Sequence, residues 1–313
     1  MKVCFMGGCG HFYTAAGAAA SVVGLCPSGA DSDAFVRFER SLPAHVRRYA
    51  GYEAMLDNAK PDLVVVDGLF GDHAAHAAGA LARGIHVFCE KPLAVTLRQL
   101  DALKAAHARS GARLCAMLTA RFDPWFYTLK ALVGQGVIGP IRLINAQKSY
   151  VFGARPDFFR DPARFGSLFA WVGIHSVDLI LWLTGRRLAG HRYAHSGRNN
   201  FGFGPMDDSA LAILELDGGI LAGVTVDYLR PRGAATHGDD RIRVVGADGI
   251  LEVMDGSVVL LKDGRKAVIP NQAAPRDIYR DFVDSLEGRT PGMISDADSL
   301  AATEAVLRIT QAD

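Results

Sequence analysis

The sequence lacks any long uninterrupted apolar run. Charges or glycines break each hydrophobic stretch, as in DLVVVDG and DLILWLTG, and none approaches the roughly 18 residues that a membrane helix needs. No membrane span is expected. It also lacks an excess of charge of one sign: 34 Lys and Arg stand against 33 Asp and Glu, for a formal net charge of +1. With no dense basic block, nothing recruits nucleic acid or an acidic lipid surface, so small molecules are the expected partners. Cysteine is scarce. The five cysteines, Cys4, Cys9, Cys26, Cys89 and Cys115, are odd in number and scattered in spacing, which argues against both a disulfide framework and a zinc site. They read as reduced, mostly buried thiols, with Cys9 placed to face a ligand, and no metal is expected. The N-terminal run MKVCFMGG has neither the apolar length nor the small-residue cleavage site of a secretory signal, so the expected location is the cytoplasm.

What is present is ordinary globular composition, half hydrophobic and 21% charged, over 313 residues. That length exceeds what one core usually supports, so two domains are expected. The first 118 residues alternate short β-rich runs (Lys2 to Met6, Ser21 to Cys26, Leu63 to Asp67, His86 to Cys89, Arg113 to Leu118) with Ala-rich helical stretches. Continuous apolar strands separated by helices predict a parallel sheet covered on both faces, a doubly wound α/β domain over residues 1–120. Beyond residue 121 strands follow one another with few helices, joined by Asp217-Gly218-Gly219, Asp248-Gly249, Asp255-Gly256 and Asp263-Gly264. Such turns predict antiparallel hairpins, and residues 121–313 read as an α+β domain with a large, mostly antiparallel sheet. Gly197 to Pro205 reads as a mobile loop, and the last two helices as packing back on the first domain.

Strand one runs into Gly7-Gly8-Cys9-Gly10-His11-Phe12-Tyr13 and then an Ala-rich segment, Thr14 to Ala20. A strand, a glycine turn and a helix start turn backbone N–H groups and the positive helix end toward a pyrophosphate. NAD or NADP is therefore the expected cofactor, held by Gly8, Cys9, Gly10, His11 and Phe12. Two departures stand out. Tyr13 occupies the third glycine position, which requires a shifted helix or a ring turned outward. The acid expected on the adenine ribose at the end of strand two is missing, replaced by Cys26-Pro27-Ser28. Ser28 can donate to a 2′-phosphate, with Asp31 and Asp33 as fallback ribose partners, so the choice between NAD and NADP stays open.

At the end of the strand His86 to Cys89 comes Glu90-Lys91-Pro92. Two charges between a buried strand and a proline are unusual, since charges are rarely buried unless paired. The carboxyl ends of such strands are where ligands bind, and a Lys there can hold a substrate hydroxyl and stabilise an alkoxide. A solvated turn is the plainer alternative.

The run GIHVFCEKPLAVT resembles the Glu-Lys-Pro signature of the glucose-fructose oxidoreductase, inositol dehydrogenase and rhizopine-catabolism superfamily. Its surroundings match in order: the helix begun by His73, then Arg121-Phe122-Asp123-Pro124, Gly136 to Ile141, and Gly173-Ile174-His175-Ser176-Val177-Asp178-Leu179 ahead of Trp182-Leu183-Thr184-Gly185. The motifs run to about residue 185, and only architecture matches beyond. The resemblance implies a Rossmann domain with His73, Glu90 and Lys91 near the cofactor, and a catalytic pair, Lys91 and His175, that holds the reacting hydroxyl and moves its proton. It implies a homodimer or homotetramer formed through the open sheet. The family's aspartate four residues before the histidine does not carry over, because position 171 is Trp. Arg121, Arg160, Trp171 and His175 are the candidates for substrate contact, and Asp178, one turn beyond His175, either orients it or caps a surface.

The expected activity is NAD(P)-dependent hydride transfer to or from a hydroxyl or carbonyl of a sugar, cyclitol or derivative. Two other functions suit the same fold: a non-catalytic dinucleotide-binding sensor, favoured by the departures at Tyr13, Ser28 and Trp171, and an NAD-dependent lyase or glycosidase.

Overall fold

The structure, a computed structural model, describes residues 1–17, 21–196 and 199–311. The end of the expected Ala-rich helix and the start of the glycine-rich loop, at Gly197, lie outside the described residues. The chain divides into two compact units, each built from several stretches. The first takes Met1–Leu118, Pro156–Gly166 and Asp277–Glu304; the second takes Thr119–Arg155, Ser167–Arg276 and Ala305–Asp313. The single cut drawn from the sequence at 120/121 lies beside one of these crossings.

The first unit holds six parallel strands, β1 (Val3–Met6), β2 (Val22–Cys26), β3 (Arg47–Arg48), β4 (Leu63–Val66), β5 (His86–Cys89) and β6 (Leu114–Ala116), in the order β3-β2-β1-β4-β5-β6. Every residue of β1 and β4 is buried and none is charged, as a strand covered on both faces requires; each such Val, Leu or Phe contributes roughly 1.5–3 kcal/mol. Between the strands run α1 (Tyr13–Ala16), α2 (Asp33–Ser41), α3 (Tyr52–Ala59), α4 (His73–Leu81) and α5 (Leu97–Arg109). α5 starts at a capping box in which Thr96 and Gln99 satisfy each other's backbone N–H groups. The strand order reverses direction between β1 and β4, which leaves a crevice at their carboxyl ends, the usual ligand position in such sheets. The helices Ile278–Leu286 and Asp296–Thr310 follow near the C-terminus. The first, and the second as far as Glu304, belong to this unit.

The second unit is an eight-stranded sheet of β7 (Ile141–Val151), β8 (Leu188–Ser196), β9 (Ser209–Leu216), β10 (Ile220–Arg230), β11 (Gly238–Gly246), β12 (Ile250–Met254), β13 (Ser257–Lys262) and β14 (Arg265–Ile269), ordered β14-β13-β12-β11-β7-β10-β9-β8. All neighbours are antiparallel except β7 and β10. The hairpins β12–β13 and β13–β14 close on Asp255-Gly256 and Asp263-Gly264, whose φ values of 51° and 69°, and 50° and 69°, match the turn whose twist suits the flanking strands. Burial alternates along β9: Ala210, Ala212, Leu214 and Leu216 point into the core while Leu211 and Ile213 point out. By length and average composition the segment Pro162–Thr184 is apolar enough to cross a membrane, although Arg164 and Asp178 interrupt it. Its most apolar window is 72% buried within the fold, as in a core helix.

Candidate active site

The glycine turn after β1 lies at the sheet's reversal point. Gly7 has φ of +70°, and a Cβ there would stand 2.7 Å from the Gly68 Cα; a Cβ on Gly8 would meet the Phe35 ring at 2.1 Å. Only glycine satisfies either position. The N–H groups of the turn all have acceptors inside the unit. Gly7 donates to the Cys26 carbonyl and Cys9 to the Asp67 carbonyl. Gly8 donates to Asp31 Oδ1 at 2.7 Å, Gly10 to Asp67 Oδ1 at 2.8 Å, His11 to Glu90 Oε2 at 3.3 Å and Phe12 to Asp67 Oδ2 at 2.6 Å.

The side chains around this turn take distinct positions. Tyr13 is 59% exposed, so its ring turns outward. Phe12 is buried against the rings of Phe35 and Phe38. The Cys9 thiol turns to the Ala30 carbonyl, 3.3 Å away, and Ser28 Oγ; burial, reinforced by Asp67, Asp31 and Glu90 against the Ser28 contact, pushes it up to about 12. Ser28 donates both its hydroxyl and its N–H to Asp31, at 2.8 Å each, so Asp31 is folded inward on the turn while Asp33 starts α2 on the surface.

At the end of β5, Glu90 is fully buried and Lys91 is 2% exposed. Glu90 accepts from His11 Nδ1 at 2.9 Å and lies 3.5 Å from Lys91 Nζ. Burial opposes its charge, yet the His11 and Lys91 charges outweigh that and hold it below the ordinary range. Asp67 behaves oppositely: burial first, then Glu90, pushes it well above the carboxylate range, against the Phe12 and Gly10 N–H groups and Lys91. Asp67 was read from sequence only as a strand terminus; a charged residue ending a wholly apolar strand beside the glycine turn was the available signal. His73 is fully buried, with Nδ1 at 2.9 Å from the Pro92 carbonyl and Nε2 at 3.2 Å from the Gly68 carbonyl. Burial lowers its pKa against the Pro92 and Gly68 carbonyls, and the ring lies between the two loops that carry them.

In the second unit the helix Ile174–Thr184 carries His175, 6% exposed, and is entered through a π-helical turn, Phe169–Gly173. Trp171 sits in that wider turn, so its four-residue offset from His175 is not one regular α-turn; π-turns of this kind recur at functional sites. Asp178 is buried and paired bidentately with Arg121. Arg160, in the first unit, is exposed, with Nε 3.4 Å from Asp157 Oδ1. Among the described residues no group of three His, Cys, Asp or Glu side chains is placed to hold a metal.

The buried face of the second sheet changes character along its strands. Opposite pairs are apolar over Ile144, Ala146, Ala222, Val224, Ile242 and Val244. Beyond them stand Lys148, Tyr150, Tyr228 and Asp240. Lys148 Nζ donates to Asp240 Oδ2 at 2.5 Å and to the Tyr150 hydroxyl at 3.1 Å, and the Arg155 guanidinium lies 4.4 Å over the Tyr228 ring. Burial pushes the Tyr228 phenol up to about 12, countered by Arg155 and by the Trp171 side chain as a hydrogen-bond donor. No acceptor among the described residues takes the Tyr228 O–H, and no donor reaches Asp240 Oδ1, though both atoms are buried. Sequence reading missed this cluster because each member sits in an otherwise regular strand.

A dinucleotide suits the architecture of the first unit and the glycines of its turn, but the anion position does not fit as it stands: four N–H groups of the turn already serve carboxylates.

Residues 7–117 match the model of the oxidoreductase family with the NAD-binding Rossmann fold, and residues 126–252 match that of the GFO/IDH/MocA C-terminal domain. A solved Thermotoga maritima structure, assigned as an oxidoreductase, superposes with a TM-score of 0.94 at 34% identity, covering 99% of this chain and 97% of that one. An inositol dehydrogenase homologue from Azotobacter vinelandii, solved with NAD+, shares the fold at a TM-score of 0.82 and 19% identity, over 99% and 94% of the two chains. The inositol 2-dehydrogenase of Ralstonia nicotianae is 27% identical over 77% of this chain and 71% of its own length, and that of Burkholderia cenocepacia is 30% identical over 61% of this chain and 54% of its own. With both domains matched in sequence and the whole chain matched in structure, the protein belongs to the glucose-fructose oxidoreductase, inositol dehydrogenase and rhizopine-catabolism family of NAD-binding oxidoreductases.

Proposed function

We propose that the protein oxidises or reduces a neutral polyhydroxylated substrate, a sugar, cyclitol or derivative, with NAD or NADP as redox partner. The supporting observation is that in one buried cluster the Tyr228 O–H has no acceptor and Asp240 Oδ1 no donor among the described residues. An unsatisfied buried polar group costs about 1–3 kcal/mol and calls for a ligand or water. A carboxylate ligand answers only the donor and an ammonium only the acceptor; hydroxyls, being both, answer both. The inositol 2-dehydrogenases among the relatives act on a molecule of that kind by name.

The nicotinamide supplies the hydride acceptor or donor. Of this chain's residues, Lys91 holds the reacting oxygen and steadies its negative charge, and His175 takes or returns its proton, histidine being suited by a pKa near neutrality. Trp171 offers a flat apolar surface to the substrate ring. Steady-state assays with myo-inositol, D-glucose, D-xylose and D-gluconate test this: turnover of neutral polyols, with KM raised about ten- to a hundredfold in Tyr228→Phe, is expected. Turnover confined to gluconate, or no turnover at all, would sink the reading. In the latter case the sensor function, which the carboxylate-filled turn favours, takes its place; a lyase or glycosidase would act with no net change in the cofactor pool. We further propose a homo-oligomer formed through the exposed face of the second sheet, and a cytoplasmic location, supported by five cysteines that form no disulfide.

A further inference from the structure

Asp67 is fully buried, and its two carboxylate oxygens each accept one N–H of the glycine turn, Gly10 at 2.8 Å and Phe12 at 2.6 Å. In a strand–turn–helix of this type those N–H groups are the ones turned toward a pyrophosphate. The space is filled as well: a Cβ built on Gly10 meets Glu90 Cδ at 2.9 Å and Asp67 Oδ1 at 3.0 Å. A protein carboxylate therefore sits where a phosphate oxygen would sit, with the hydrogen-bond geometry of one. Resting on the cofactor reading above, we propose that Asp67 is a built-in competitor for the cofactor's pyrophosphate, and that it must swing away or take up a proton before the dinucleotide seats.

The surroundings make the competition sharp. Glu90 lies on the same side of the turn and Asp31 on the other, both carboxylates hydrogen-bonded to the turn. Facing them are His11, paired with Glu90, Lys91, 3.5 Å from Glu90, and His73, held between two carbonyls; the Cys9 thiol is pushed up to about 12 by burial and adds no charge. An incoming dianion repels Asp67 and Glu90 together. Burial and Glu90 already favour the protonated form of Asp67, and a bound pyrophosphate favours it further. Binding then takes up a proton, so affinity falls as pH rises, by up to about tenfold per pH unit over the window between the free and bound titrations.

Fluorescence titration of NADH and NADPH with the wild type, Asp67→Ser and Asp67→Asn, between about pH 5 and about pH 9, tests the proposal. Serine opens the space; asparagine keeps the volume and removes only the charge, which covers the case in which the serine variant does not fold by circular dichroism. The expected result is binding at least about tenfold tighter in the variants near pH 8, with the wild type's loss of affinity on raising pH absent from them. Variants that bind as the wild type does, or more weakly, at every pH would show that Asp67 merely braces the turn and overturn the proposal alone. If no form binds either nucleotide, both this proposal and the cofactor reading fall.

Discussion

Arg121 and Asp178 close a bidentate ion pair inside the second unit, Nε to Oδ2 at 2.9 Å and Nη2 to Oδ1 at 2.6 Å, with neither side chain more than 2% exposed. Arg121 comes from the turn Thr119–Phe122 and Asp178 from the helix that carries His175, so the pair fixes that helix to the turn. Removing one member leaves the other charge buried, which costs about 3–5 kcal/mol. Arg121→Leu and Asp178→Leu should each lower the thermal midpoint by roughly 10 °C at about 2–4 °C per kcal/mol, and the double variant should recover most of it. A loss of only a degree or two by calorimetry in the single variants would show the pair to be dispensable.

Lys91→Ala and His175→Ala should each lower kcat by about a hundred- to ten-thousand-fold, the usual effect of losing a positioned base or an oxyanion donor. NADH affinity should change far less in the same proteins. Unaltered kcat in both would remove these two residues from the chemistry.

Trp171→Asp restores the family pattern at a position in the π-helical turn before His175. If the indole stands in for a lost acid, turnover of a simple polyol should rise; if it is a platform for the substrate, KM should rise by about tenfold. Comparing kcat with KM separates the two, and no change in either would leave Trp171 a packing residue.

Asp123 is a titrating group with no catalytic assignment. Burial pushes its carboxyl up to about 6, against Lys148 and with Asp240. A carboxyl raised in the folded state favours folding when protonated, an advantage complete below about pH 4 and lost as pH rises through about 6. Asp123→Asn should therefore stabilise the protein by about 2 kcal/mol near pH 8 and by almost nothing near pH 4. Thermal midpoints across that range check it; an equal effect at both ends would contradict the assignment.

Leu211 and Ile213, 56% and 57% exposed, lie on the outer face of β9, with Leu221 at 46% on the neighbouring β10. Adjacent exposed apolar side chains on a sheet face are an association surface. Leu211→Glu with Ile213→Lys should convert a dimer or tetramer into a monomer by light scattering at micromolar concentration, with the melting transition still cooperative. A wild type that is already monomeric would refute the proposed interface.

The parts of the fold with a strict local pattern were legible. The apolar strands β1, β4 and β5 and the Asp-Gly hairpins of the second sheet appear where hydrophobicity and turn chemistry put them. The two-residue strand β3, with both arginines exposed, carries no pattern at all, and the Gly-His-Arg-Tyr-Ala-His stretch of β8 has too few apolar residues to mark a strand. At the candidate site the glycines and the Glu-Lys-Pro turn were visible as motifs. What they bond to was not, since Asp67 reaches the turn across 57 and 55 residues of chain. A similar distance, 57 residues, hid the pairing of Asp178 with Arg121.

The interleaving of the two units bears on how the protein is made. The exposed side of β6 is completed by residues near the far end of the chain: the Leu114 N–H donates to Asp296 Oδ1 at 2.7 Å, and the Ala116 N–H to Ser299 Oγ at 3.0 Å. On a ribosome working at about 5–20 residues per second, some 180 residues separate these partners, so the edge waits roughly 10 to 40 seconds for its cover. During that interval the nascent sheet presents an unpaired strand, the feature through which chains pair with the wrong neighbour. Folding from the N-terminus onward can therefore begin in the first unit but is finished only after the second has been synthesised, which makes the period of translation, more than the finished molecule, the stage at which this protein is open to aggregation.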